Sequence, residues 1–116
     1  MVEDNEVIIE VMDEVLKYAG YRVALARTGA EALKMASEIG PDLILMDVQL
    51  PLMDGLEVTR RLRKQARFAT TPIIAVTASA MTGDHERCLA AGASDYLSKP
   101  LRMLDLLKMI ESLIKS

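Results

Sequence analysis

Glu3 and Asp4 stand almost at the start of the chain, Asp47 closes the apolar run 43–46, Thr77 closes the run 73–76, and Lys99 lies between Ser98 and Pro100. Carboxylates gathered at one place repel one another unless a cation joins them. Oxygen donors with no Cys and no nearby His favour Mg²⁺, which commonly binds one or two carboxylates plus phosphate oxygens and keeps several waters. Lys99 adds a compact positive charge suited to a phosphate oxygen, and the Thr77 hydroxyl can donate to the same group. An aspartate nucleophile, a metal, a lysine and a hydroxyl form a set for phosphoryl transfer, which depends mainly on positioning and on stabilising charge over the phosphoryl oxygens. The product would be an aspartyl phosphate on Asp47.

These residues work together only if the chain brings strand ends to one edge, and helical and strand patterns do alternate at short intervals. Val7, Ile8, Val11, Leu16 and Tyr18 keep helical spacing over 6–19, with Gly20 suited to the C-cap. Residues 21–26 read as a strand. Thr28-Gly29-Ala30-Glu31 has the form of a capping box, so a helix runs over 29–39 and stops at Gly40-Pro41. The unbroken apolar runs 43–46 and 73–76 suit central parallel strands covered on both faces. A helix is expected over 56–65, another over 83–91 capped by Thr82, a short strand over 95–98 and a final helix over 101–115. In open α/β sheets, ligands bind beyond the carboxyl ends of strands, where Asp47 and Thr77 fall. The first of the five β/α units has almost no strand, because only Met1 and Val2 precede Glu3-Asp4.

Composition narrows the class. The 116 residues fit one domain, taken as 1–116, and suffice for a core. A lone Cys88 excludes an internal disulfide and a Cys-based metal cage, and it reads as a small apolar residue. With 14 basic and 17 acidic side chains the net charge is −3, which argues against direct nucleic-acid binding, and the basic cluster Arg60, Arg61, Arg63, Lys64 reads as a solvated helix face. No apolar run reaches the roughly 18 residues of a membrane span, so a cytoplasmic protein is expected.

The segments Val2-Glu3-Asp4-Asn5, Asp42-Leu-Ile-Leu-Met-Asp-Val-Gln-Leu-Pro51, Met53-Asp54-Gly55, Val76-Thr77-Ala78 and Ser98-Lys99-Pro100 resemble the response-regulator receiver domains typified by the bacterial chemotaxis regulator. The spacing agrees: Asp47 and Thr77 lie 30 positions apart, Thr77 and Lys99 22. The resemblance implies a flavodoxin-like, doubly wound, five-stranded parallel α/β sheet of order 2-1-3-4-5, here with its first strand truncated. It implies that Asp47 accepts phosphate and that Glu3, Asp4 and Asp47 hold Mg²⁺ with the backbone carbonyl of Gln49. The Gln49 side chain and Ser79 would tune phosphate loss, Thr77 and Tyr96 would form a switch pair, and Lys99-Pro100 would be cis. The donor would be a histidine kinase or histidine phosphotransfer protein, and the downstream protein would meet the face of residues 82–91, 95–98 and 101–115. Apart from phosphorylating and dephosphorylating itself, such a domain turns over no substrate, so it is not an enzyme in the ordinary sense.

Plainer readings exist for each residue. A lone Asp at a strand end is usually a cap or turn residue, Thr77 is a common strand residue, Tyr96 can be half-buried packing, and His85 reads as an exposed helix residue. Asp42, Asp54 and Asp95 are assigned to strand starts and a turn. Rival functions fare less well. An aspartate-nucleophile phosphatase of the haloacid dehalogenase type wants a second Asp where Gln49 stands, and a flavodoxin wants a phosphate-cradling loop where Asp4-Asn5-Glu6 stands. A pseudo-receiver that binds partners without phosphorylation is favoured only by the missing strand, since all the key side chains are present. A whole first strand calls for about five more apolar residues before Val2. If Met1 is the true start, dimers through a borrowed first strand are the expected alternative.

Overall fold

The computed structural model of the chain describes residues 1–50, 52–78 and 82–115, with 82–84 and 115 as backbone only. The elements in order are α1 (Glu6–Tyr18), α2 (Gly29–Ile39), β1 (Ile44–Asp47), α3 (Gly55–Arg63), β2 (Ile73–Thr77), α4 (Thr82–Ala91), β3 (Asp95–Ser98) and α5 (Met103–Lys115), with a 3₁₀ turn at Ala66–Phe68. Helix starts follow from side chains that satisfy free N–H groups. Asn5 accepts from Val7 and Ile8, Thr28 from Glu31, and Asp54 from Glu57. Gly40, at φ 65, closes α2 in the left-handed conformation.

The strands β1, β2 and β3 pair in parallel in that order, with Asp47 opposite Val76 and Thr77 opposite Ser98. Alternation along the strands sends side chains to two helical layers. Leu45 and Ile74 pack with Met12, Leu16, Leu106 and Ile110 of α1 and α5. Ile44, Met46 and Ile73 face Ala32, Val58 and Leu62 of α2 and α3, while Ala75 packs with Leu56, Cys88 and Ala91 of α3 and α4. Cys88 is thus a core residue.

The expectation of five strands is corrected. Three regular strands form among the described residues, and residues 21–26 carry no ladder. Val2 alone bridges Ala26 on one side and Met46 on the other, both in parallel. Its N–H donates to Leu45 and its carbonyl accepts from Asp47, while Glu3 N–H donates to Ala26. A ladder needs successive paired residues on both partners, and among the described residues the bridging on either side is confined to Val2. The helix bounds depart from expectation by a residue or two, α3 stopping at Arg63 and α5 starting at Met103, and α1 buries Ile9, Met12 and Leu16 while Val7, Val11 and Tyr18 are exposed.

Candidate functional site

The bridges at Val2 carry Glu3 to the carboxyl end of the sheet. There Glu3 is 2% exposed, Asp47 is 2% exposed and Thr77 is 3% exposed, whereas Asp4 is exposed. Carboxylate oxygens of Glu3, Asp4 and Asp47 lie within 4.8 Å of one another. The Lys99 ammonium stands between two of them, 3.2 Å from Glu3 Oε1 and 3.4 Å from Asp47 Oδ1. Lys99 is held there through its main chain, whose N–H donates to the Thr77 carbonyl at 2.7 Å, and the Lys99-Pro100 bond is cis.

Backbone donors complete the pocket. The Gln49 N–H donates to Asp47 Oδ1 at 3.0 Å, and the N–H groups of Asp4 and Asn5 donate to Glu3 Oε2 at 3.1 and 3.4 Å. Burial, together with the hydrogen bond and the charge of Glu3, pushes the Asp47 carboxyl up to about 7, against the opposing Gln49 N–H and Lys99. A crowded carboxylate pair with one lysine as counter-charge is a donor set that a divalent cation fits, because the hard oxygens and the surplus negative charge are already assembled.

The structure thus brings together Glu3, Asp4, Asp47, Gln49 and Lys99, with Thr77 at the end of the adjoining strand. Ser79 lies outside the described residues. Tyr96 sits one strand further out, opposite Ala75, on the sheet face that carries α4. Asp42 and Asp95 fall at the opposite end of the strands, and Asp54 caps α3.

Sequence reasoning missed three residues. His85 is half-buried, not exposed, and its ring stacks on Tyr96 at 3.9 Å between centroids. Its position three residues before the buried Cys88, on the inner stripe of α4, was a legible sign. Arg63 is not a solvated charge: it donates to the carbonyls of Gly92, Phe68 and Thr71 at 2.8, 2.6 and 2.6 Å. Gly55 donates its N–H to the Val48 carbonyl and fits against the main chain of Asp47 with no room for a side chain.

An α/β domain with a parallel sheet and a buried aspartate, partner carboxylates and a lysine at the strand ends defines a receiver-type class of signalling modules. The profile of the response regulator receiver domain matches residues 1–111, and the chain belongs to that family, whose members are signalling modules of two-component systems. It is 44% identical over 112 residues to the polar-differentiation response regulator DivK of Brucella abortus, covering 97% of this chain and 91% of that protein. It also resembles the receiver domain of the sensor histidine kinase PA1611 of Pseudomonas aeruginosa. That match has a TM-score of 0.92 and 43% identity and covers 99% and 94% of the two chains; the PA1611 structure has a magnesium ion coordinated in its active-site cleft. The chemotaxis protein CheY4 of Vibrio cholerae superposes with a TM-score of 0.91 at 33% identity, covering 97% and 93%. No helix among the described residues is long and apolar enough to cross a membrane.

Proposed function

We propose that the chain, as one receiver domain over 1–116, takes a phosphoryl group from a phosphohistidine donor onto Asp47 and changes the face it offers to a protein partner. The observation that carries this reading is the placement of Asp47: nearly sealed from solvent at a strand end, 3.4 Å from the Lys99 ammonium and beside the oxygens of Glu3 and Asp4. Glu3, Asp4, Asp47 and the carbonyl of Gln49 would hold Mg²⁺, which when bound neutralises charge on the phosphoryl oxygens. Asp47 attacks phosphorus through a carboxylate oxygen, the donor imidazole leaves, and the Lys99 ammonium and the Thr77 hydroxyl donate to the transferred oxygens.

The donor is a histidine kinase or histidine phosphotransfer protein. The downstream partner meets α4, β3 and α5, where Leu89 and Leu104 are exposed. Thr77 and Tyr96 are the switch pair, the hydroxyl moving toward the phosphoryl group and the ring into the space it leaves. Intact-mass analysis after incubation with acetyl phosphate tests the reading. One phosphoryl group gained by the wild type with Mg²⁺, and by neither the metal-free protein nor Asp47→Asn, is expected. No gain by a protein shown to be folded would point instead to a phosphorylation-independent binding module.

A further inference from the structure

The inner stripe of α4 runs through His85, Cys88 and Ala91, and the last two are sealed in the apolar cluster that also takes Leu56 and Ala75. Tyr96 packs against this cluster from β3. The His85 ring lies on the Tyr96 ring with centroids 3.9 Å apart and planes inclined by 20°. Its Nε2 is buried and has no hydrogen-bond partner among the described residues. Two aromatic rings in face contact fix each other's side-chain torsions. An unsatisfied buried nitrogen is a cost that water would remove as soon as the rings part. The contact therefore holds Tyr96 in place without making that place permanent.

We infer that His85 is a positioning residue for the switch: its ring is a latch that keeps Tyr96 on α4, and release of the stack converts occupancy at Asp47 into a changed α4–β3 surface. The inference rests on the switch reading of Thr77 and Tyr96. By linkage, a contact present only in the unphosphorylated arrangement opposes phosphorylation by its own strength, so its removal shifts the equilibrium toward the arrangement that binds a phosphoryl group. A released imidazole also places a hydrogen-bonding nitrogen on the face where the partner is expected, which an apolar ring would not.

The test compares wild type with His85→Ala, which removes the ring, and His85→Phe, which keeps a ring to stack and lacks the nitrogen. Beryllofluoride with Mg²⁺ serves as the phosphoryl mimic, and urea unfolding shows that each variant folds. The expected result is that His85→Ala binds the mimic roughly three- to tenfold more tightly, the size of one aromatic contact, while His85→Phe binds no more tightly than wild type. In protein without the mimic, nuclear Overhauser contacts between the Tyr96 ring and the Thr77 methyl should appear in His85→Ala and not in His85→Phe. Equal affinities and unchanged ring contacts in all three proteins would overturn the latch, as would identical behaviour of the Ala and Phe variants. If the wild type itself ignores beryllofluoride, the phosphoacceptor reading fails, and the latch is decided by the ring contacts in the mimic-free proteins alone.

Discussion

A Cβ on Gly55 would lie 2.0 Å from the main-chain oxygen of Asp47, closer than any non-bonded carbon and oxygen can approach. The first turn of α3 therefore rests directly on the backbone of the proposed phosphoacceptor. The Gly55 N–H also donates to the Val48 carbonyl, which ties the start of α3 to the end of β1. Asp54 caps the same turn at Glu57 N–H.

Gly55→Ala must push the helix start away from β1. The expected cost is about 1–3 kcal/mol in urea unfolding, the usual range for overpacking a tight interior. Phosphorylation of Asp47 from acetyl phosphate should slow as well, since the displaced backbone carries the carboxylate and the Gln49 N–H with it. A variant with unchanged midpoint and unchanged rate would show that the loop yields freely.

Much of this geometry was legible in the sequence. The capping box at Thr28, the apolar runs ending in Asp47 and Thr77, and the strand before Lys99 are local patterns, and local patterns fix local structure. Asp47, Thr77 and Lys99 could be placed at one edge because parallel strands share a carboxyl end. What escaped was pairwise and distant. Nothing in Arg63 distinguishes it from Arg60 and Arg61, which pair with Glu57, until the fold sets the carbonyls of Phe68, Thr71 and Gly92 around its guanidinium. Residues 21–26 have strand composition and stay without a ladder, because composition does not supply the neighbouring strand.

The protonation of Asp47 carries a testable sign. Its carboxyl is raised from 3.8 to about 7, first by burial and then by Glu3, so between those values the folded state holds a proton that the unfolded chain has released. The stability this gives is full below the unfolded value and is lost as pH rises through about 7. In metal-free protein, the melting-temperature difference between wild type and Asp47→Asn should therefore fall from about pH 5 to about pH 8. Added Mg²⁺ should raise wild-type stability more at the higher pH, where the carboxylate is ionised. Parallel profiles for the two proteins would sink this assignment.

Lys99 is a counter-charge shared by Glu3 and Asp47, and its removal separates two roles. Lys99→Ala leaves the carboxylates without the ammonium, so a divalent cation should bind severalfold more tightly, read by calorimetry. Phosphoryl transfer should nevertheless slow by roughly 10²-fold, the scale for losing one charge-stabilising donor. Tighter metal binding with undiminished transfer would remove Lys99 from the transfer step.

Arg63 ties the end of α3 to the loops before β2 and β3 through three carbonyls, and its partial burial lowers its pKa. Truncation to Ala strands those acceptors at the base of the sheet, for an expected loss of about 2–3 kcal/mol. Lys at this position should recover less than half of it, because one ammonium lacks the planar fork that serves diverging carbonyls. Full rescue by Lys would mean that charge alone matters.

A groove of about 460 Å³ runs beside Met1 between residues 20–24 and 41–45, lined by Leu16, Tyr21, Val23, Leu43, Leu45 and Ile110. The Met1 ammonium donates to the Ala24 carbonyl at 2.9 Å at its end, and burial pushes that amine down to about 6. Since Ala24 and Leu45 turn their carbonyls toward Met1 and Val2, their N–H groups point to the same side, into the groove. Four apolar residues added ahead of Met1 would continue both ladders and replace the buried amine with a peptide N–H. Each buried aliphatic side chain contributes about 1.5–3 kcal/mol and each new hydrogen bond about 1, against about 1–2 for ordering each residue. A net gain of a few kcal/mol in urea unfolding is expected, with slowed amide exchange at Ala24 and Leu45. A Gly-Ser tetrapeptide should give none of it. If the unextended protein pairs through this groove with a second copy, light scattering should show the extension converting dimer to monomer; an extension that leaves stability and exchange unchanged would mean that the groove does not accept a strand.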